Sequence, residues 1–168
     1  MARPSFRDSL LAKASESAQA ASLLAVGLLR DLGKQSPSVR DIPLEQWDRI
    51  LTTAGVFVII AHLDAVPLGE QRRARLVAAI MDDFHKLQAD ASSLLQDCAS
   101  MVDETLDNLA DEEEYQGNTR LALADAIGYW AAKNLFAGGL GSPDGQRLAR
   151  PLGGTLLQTF HAWWSEDE

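Results

Sequence analysis

The side chains that most resemble those of an enzyme site are Asp82 and His85. They stand three residues apart, a spacing that places a carboxylate and an imidazole on one face of a helix. Carboxylate-bridged di-iron bundles use Glu-x-x-His in this way, but twice, with two further glutamates. A second copy is missing here, because His62 and Asp64 fall on different helix faces. We therefore favour a surface contact for Asp82 and His85, with a metal site as the alternative.

An acidic cluster near the middle of the chain is a second candidate metal site. Helical nucleotide pyrophosphatases bind Mg²⁺ through carboxylates three and four apart on two antiparallel helices. The opposing helix predicted here offers only Asp125, so a solvated helix end is the favoured interpretation. The cluster comprises Asp103, Glu104, Asp107, Asp111, Glu112, Glu113 and Glu114.

The glycines of the C-terminal part do not form a phosphate loop. No Lys-Ser/Thr pair follows residues 138–141 and no strand precedes them. Gly153 and Gly154, close to Arg147 and Arg150, could expose backbone N–H groups to an anion. A tight helix crossing explains these two glycines equally well. No Ser/His/Asp or Cys/His arrangement is present, so no catalytic residue is assigned.

Five acids recur seven residues apart and form one line if the segment is helical. This line is either a solvated flank or a contact for basic residues of a partner. Trp163 and Trp164 lie about 100° apart on a helix, so one of them should stay partly exposed, where partners often bind. The candidate partner-binding residues are therefore Asp83, Asp90, Asp97, Glu104, Trp163 and Trp164, with Asp111 ending the line.

One long helix over about residues 70–110 is predicted to carry most of these side chains. The segment has no proline and no glycine after Gly69, and its apolar residues alternate three and four apart. Such a helix would run roughly 60 Å, too long for the other helices to cover. The uncovered seam would favour self-association, because soluble monomers rarely expose large apolar patches. The seam comprises Val77, Ile80, Phe84, Leu87, Ala91, Leu94, Cys98 and Met101.

The fold class predicted is an all-α, single-domain bundle of four to five helices around this long helix. Residues 1–4 and 165–168 are expected to fray at its ends. Gly128, inside the fourth helix, indicates close backbone approach there. The other helices are predicted over about residues 5–33, 41–66, 118–136 and 151–164.

The charge balance limits the classes of partner. With 24 acids against 15 bases, the net charge of -9 disfavours nucleic acid and anionic membranes, whose binding depends on positive charge. Cys98 is the only cysteine and reads as a buried small hydrophobe. The N-terminus lacks the apolar core of a signal peptide, and no apolar run approaches the roughly 20 residues of a membrane span. A cytoplasmic location is expected.

These observations predict a non-catalytic helical protein that acts through protein–protein binding. An adaptor, an inhibitor or immunity-type protein, or an assembly subunit would fit. A basic protein partner and self-association are expected, and no cofactor is expected. The alternative is a metal-dependent hydrolase or oxidase that uses Asp82 and His85.

Overall fold

The computed structural model describes residues 6–165, with side chains from Ser9 onward, and these residues form an all-α bundle without strands. The prediction of an all-α fold is confirmed. The predicted frayed segments lie outside the described residues, apart from Ser165, which ends the last helix. The eight α-helices of the described chain are α1 Phe6–Ser15, α2 Ser17–Gln35, α3 Pro37–Arg40, α4 Leu44–Ala65, α5 Glu70–Leu87, α6 Ala91–Leu109, α7 Thr119–Leu135 and α8 Pro143–Ser165.

The central element of the bundle is α4, which packs against α2, α5, α6, α7 and α8. Its middle, Leu51–Val56, is fully buried. Residues 56–60 are apolar and mostly β-branched, yet they stay helical, because a lone segment has no strand with which to pair its backbone groups. Trp47 donates its indole N–H to the carbonyl of Ala25 at 2.7 Å, which ties α4 to α2.

The prediction of one continuous helix over residues 70–110 is wrong. The chain leaves the helix at Gln88, whose backbone is extended (φ −134°, ψ 117°), and α6 begins at Ala91. Neither glycine nor proline lies at this corner. An ion pair between Arg49 of α4 and Asp90 and a 2.9 Å hydrogen bond between His85 and Ser92 hold it.

The physical reason for the break is that the two halves of the seam pack on different neighbours. Helix α5 lies on α1 and α2, whereas α6 lies on α4 and α7. Two compact packings bury more apolar surface than a rod that extends beyond its neighbours. The seam that would have driven self-association is therefore largely covered, although Leu87 stays 42% exposed.

Cys98 on α6 is a buried small residue, as predicted. Burial raises the pKa of its thiol, and the nearby Asp97 carboxylate raises that pKa further. The thiol is therefore neutral under ordinary conditions and packs as an apolar group.

The predicted first helix is divided in two at Glu16, between α1 and α2. The backbone N–H groups of Ala18 and Gln19, in the first turn of α2, donate to the carboxylate of Asp83 on α5 at 2.9 and 3.1 Å. A carboxylate at this position accepts hydrogen bonds from N–H groups that have no partner within the helix, and its negative charge is attracted to the positive end of the helix dipole. The N-terminus of α2 is thus capped from a distant part of the chain.

Helix α8 begins at Pro143, two turns before the predicted start at Pro151. Ser142 caps it, because its hydroxyl oxygen accepts from the N–H of Gly145 at 2.9 Å. Pro151 lies inside the helix on the exposed face. The early turns are kept helical by the burial of Gly145 and Ala149.

Helices α7 and α8 cross with their backbones in contact, as the position of Gly128 indicated. A Cβ at Gly128 would lie 1.9 Å from the carbonyl oxygen of Ala149, and a Cβ at Gly153 would lie 1.9 Å from that of Ala124. No side chain fits at either position. This crossing supports the helix-packing interpretation of Gly153, and it sets the distance between the two helices that border the site below.

Candidate binding cleft

A cleft of about 740 Å³ lies between α4, α6, α7 and α8. Its volume is in the range of ligand-binding pockets, roughly 300–1,000 Å³. Most of its lining is apolar, and the helices that supply the lining are fixed by the buried core beneath them. The apolar lining residues are Val58, Ala61, Ala65, Leu106, Ala110, Ala122, Leu123 and Leu157.

Two histidines from distant parts of the chain meet in the wall of this cleft. The rings of His62 on α4 and His161 on α8 are edge-on, with their centroids 4.7 Å apart. The ring of Trp164, buried in the core, lies 6.5 Å from that of His62. Nothing in the sequence indicated the contact between His161 and His62.

A buried polar network holds the part of the wall between α6 and α7. The Tyr115 hydroxyl donates to the carboxylate of Asp125 at 2.7 Å, and Arg150 pairs with the same carboxylate at 3.0 Å and with Glu114. Asp125 is 2% exposed. Burial and the bond to Asp125 raise the pKa of Tyr115, so its hydroxyl remains a donor. The network therefore ties Glu114 and Tyr115 to α7 and α8.

Three exposed carboxylates, which we call the acidic lip, lie in the chain next to the lining residues Leu106 and Ala110: Asp103 and Asp107 of α6, and Asp111, which follows Ala110. On a helical wheel, Asp103 lies about 60° and Asp107 about 100° from the lining residue Leu106. Both lie on the same side of Leu106 as Ala110, the side that faces away from the core. None of the three forms an ion pair with another described residue. Exposed Glu112 and Glu113 continue the negative charge beyond the lip.

The line of acids predicted from the sequence is interrupted by the break between α5 and α6. Asp83 is 1% exposed and caps α2. Asp90 pairs with Arg49, and Asp97 accepts the indole N–H of Trp130 at 3.0 Å. These three carboxylates therefore have partners within the chain, although Asp90 and Asp97 are exposed. Glu104 is exposed on α6.

The two tryptophans near the C-terminus differ in exposure, as their angular separation indicated. Trp164 is 2% exposed and packs in the smaller part of the core with Phe84 and Leu63. Trp163 is partly exposed, and the ammonium group of Lys13 lies 5.0 Å from the centre of its ring. A partner could reach Trp163 but not Trp164.

The structure gives Asp82 and His85 exposed positions on α5. His85 shares a hydrogen bond with Ser92, in line with the surface contact favoured from the sequence. Among the side chains described, those of residues 9–165, no three His, Cys, Asp or Glu come together as a metal ion would require. Near the start of α5, Arg73 pairs with Asp64 of α4 at 2.6 Å.

No helix within the described chain is both long and apolar enough to cross a membrane. No protein-family model matches the sequence, and neither the curated proteins nor the solved structures include a significant match.

Sequence reasoning did not find the cleft, because its walls come from four helices and its lining residues share no motif. Leu106, Leu123 and Leu157 each read as ordinary helix-core positions. Only their arrangement leaves space between them. The acidic spacing of residues 103, 107 and 111 was visible, but its position beside an apolar cleft was not.

Proposed function

We propose that this is a non-catalytic helical binding protein, and that the cleft receives apolar side chains of a protein partner. The observation that carries the proposal is the cleft itself: about 740 Å³ with a mostly apolar lining, open at the surface of a close-packed bundle. Exposed apolar concavities of this kind are typical of binding sites. An adaptor, an inhibitor or an assembly subunit would each use such a site.

Filling the cleft tests the proposal. Ala110 lines it and is exposed, so Ala110→Trp should occupy the space without removing a core contact. We expect the neutral fluorophore N-phenyl-1-naphthylamine to bind the wild type, and its affinity for the variant to be at least tenfold lower. In affinity capture from the source cell, a partner should be retained by the wild type and lost with Ala110→Trp.

Ala89→Trp is the matched control, since Ala89 is exposed at the corner between α5 and α6 and does not line the cleft. It should behave like the wild type in both measurements. Equal dye binding and an equal set of captured proteins for all three forms would show that the cleft is not the binding site.

The metal-dependent alternative has less to support it. Its residues, Asp82 and His85, are exposed on one helix, and no third ligand stands near them among the described residues. The cleft contributes two histidines but no carboxylate to its lining.

Self-association stays a prediction, but the surface that could support it is different. The most exposed large apolar side chain of the described chain is Leu23, at 76%, with Val26 at 38% one turn along α2. We expect light scattering coupled to size exclusion to show a dimer that Leu23→Glu converts to a monomer. Leu44→Glu, at another exposed leucine, should leave the dimer intact. A wild-type monomer at every concentration would refute this prediction.

A further inference from the structure

We infer that the occupant of the cleft is a cationic amphipathic helix of a partner protein. This inference rests on the proposed function and names the chemistry of the partner. The apolar face of such a helix would enter the cleft, and its lysines or arginines would face the acidic lip. The cleft and the lip together specify it, since neither alone distinguishes one partner from another.

The secondary structure around the cleft decides between a helical and an extended partner segment. One common mode for an extended peptide is to add a strand to an exposed sheet edge, which requires unpaired backbone groups on the receptor. The described chain has no strand, and most of the cleft lining comes from helices, whose backbone groups are already paired. An amphipathic helix needs only an apolar groove, because its own backbone is satisfied internally.

The charge of the partner segment follows from the groups at the edge. Asp103 and Asp107 lie one turn apart on α6 beside the lining residue Leu106, and Asp111 follows two residues after the end of that helix. All three are exposed and form no ion pair in the described structure. Basic side chains spaced three or four apart on a bound helix would meet them in register. An acidic partner would be repelled there. The acidic lip would therefore attract cationic partners and discriminate against acidic ones.

Among the described residues, Arg120 is the one lysine or arginine that lines the cleft. It lies in the first turn of α7. The C-terminal end of a bound helix carries partial negative charge and unpaired carbonyl groups. A cationic helix with that end towards Arg120 would satisfy both charged parts of the cleft.

Three synthetic 18-residue peptides with one leucine face test the inference. Their remaining positions are lysine, glutamine or glutamate, and fluorescence anisotropy gives each Kd. We expect the lysine peptide to bind about tenfold more tightly than the glutamine peptide, a size typical of a few partly screened ion pairs. The glutamate peptide should bind least. Asp103→Asn/Asp107→Asn/Asp111→Asn should remove the tenfold advantage, and Ala110→Trp should abolish binding of all three peptides.

A control separates the lip from the overall negative charge. Asp31→Asn/Asp41→Asn/Glu45→Gln changes the net charge equally at exposed residues outside the cleft, and it should alter the Kd of the lysine peptide less than twofold. If it weakens binding as much as the lip variant does, the lip has no special role and the inference is overturned.

The remaining outcomes distinguish the two proposals. Equal affinity of the lysine and glutamine peptides, both lost with Ala110→Trp, would overturn the cationic partner and leave the cleft as a binding site. Binding of decanoate but of no peptide would identify a small apolar ligand and overturn both proposals. A dimer that only Ala110→Trp dissociates would place a second copy of the chain in the cleft and overturn the inference.

Discussion

Gly128→Ala is expected to destabilise the protein by more than about 3 kcal/mol, a large part of the roughly 5–15 kcal/mol that stabilises a typical domain. The new Cβ would lie 1.9 Å from the carbonyl oxygen of Ala149 and 3.0 Å from the Cα of Gly153. Backbone atoms cannot relieve the clash by changing rotamer, so α7 and α8 must separate and expose the core between them. Urea unfolding followed by far-UV circular dichroism measures the loss.

Gly154→Ala is the matched control for this prediction. Gly154 lies one residue beyond Gly153 on the same helix, and a Cβ there would meet nothing within 4 Å. It should stabilise the protein by up to about 1 kcal/mol, because alanine is the better helix former. Gly153→Ala should be as damaging as Gly128→Ala, and the two together less damaging than their sum, since both open one crossing. A free energy of unfolding for Gly128→Ala within 0.5 kcal/mol of wild type, roughly the range of a neutral surface change, would contradict the crossing.

Asp83→Ala is expected to lower the free energy of unfolding by about 3 kcal/mol, because the helix loses its cap and buried donors are left unpaired. The Asp83 carboxylate accepts the backbone N–H groups of Ala18 and Gln19 and the side-chain amide of Gln19, the last at 2.7 Å. Its removal should also speed hydrogen exchange at the two backbone amides, because the first turn of α2 would open more readily. Urea unfolding and amide exchange measured by NMR check the two effects.

Two further substitutions test whether the loss comes from the cap. Asp83→Asn keeps one acceptor oxygen and removes the charge, so about 1 kcal/mol should be lost to the weaker interaction with the helix dipole. Asp82→Ala changes the neighbouring exposed carboxylate and should have almost no effect. If Asp82→Ala and Asp83→Ala prove equally mild, the buried cap does not contribute as we describe.

Asp83 also shows where sequence reasoning stopped. Its position seven residues before Asp90 suggested a solvated line of acids, and nothing in the local sequence marked it as buried. Its acceptors are paired with Ala18 and Gln19, more than sixty positions earlier in the chain. Periodicity reports the face of a helix but not which element covers that face, and here α2 supplied both the cover and the hydrogen-bond donors.

The corner at Gln88 has the same origin. Continuous helix propensity and an unbroken apolar pattern favour one rod, since each residue alone has no reason to leave the helix. Whether the helix continues or breaks depends on how the whole chain packs. In the observed packing α5 covers α1 and α2, while α6 covers α4 and α7. The cleft likewise exists only because four helices meet with space between them.

The amino-acid sequence by itself determined that the chain is helical, that Cys98 is buried, that Gly128 lies at a close approach and that Trp163 and Trp164 differ in exposure. Each of these follows from residue type and helical spacing, which are local properties. Tertiary structure alone decided the break between α5 and α6, the cap on α2 and the cleft beside the acidic lip. Those features depend on contacts between distant segments, where burial of apolar surface outweighs the small local preferences of single residues.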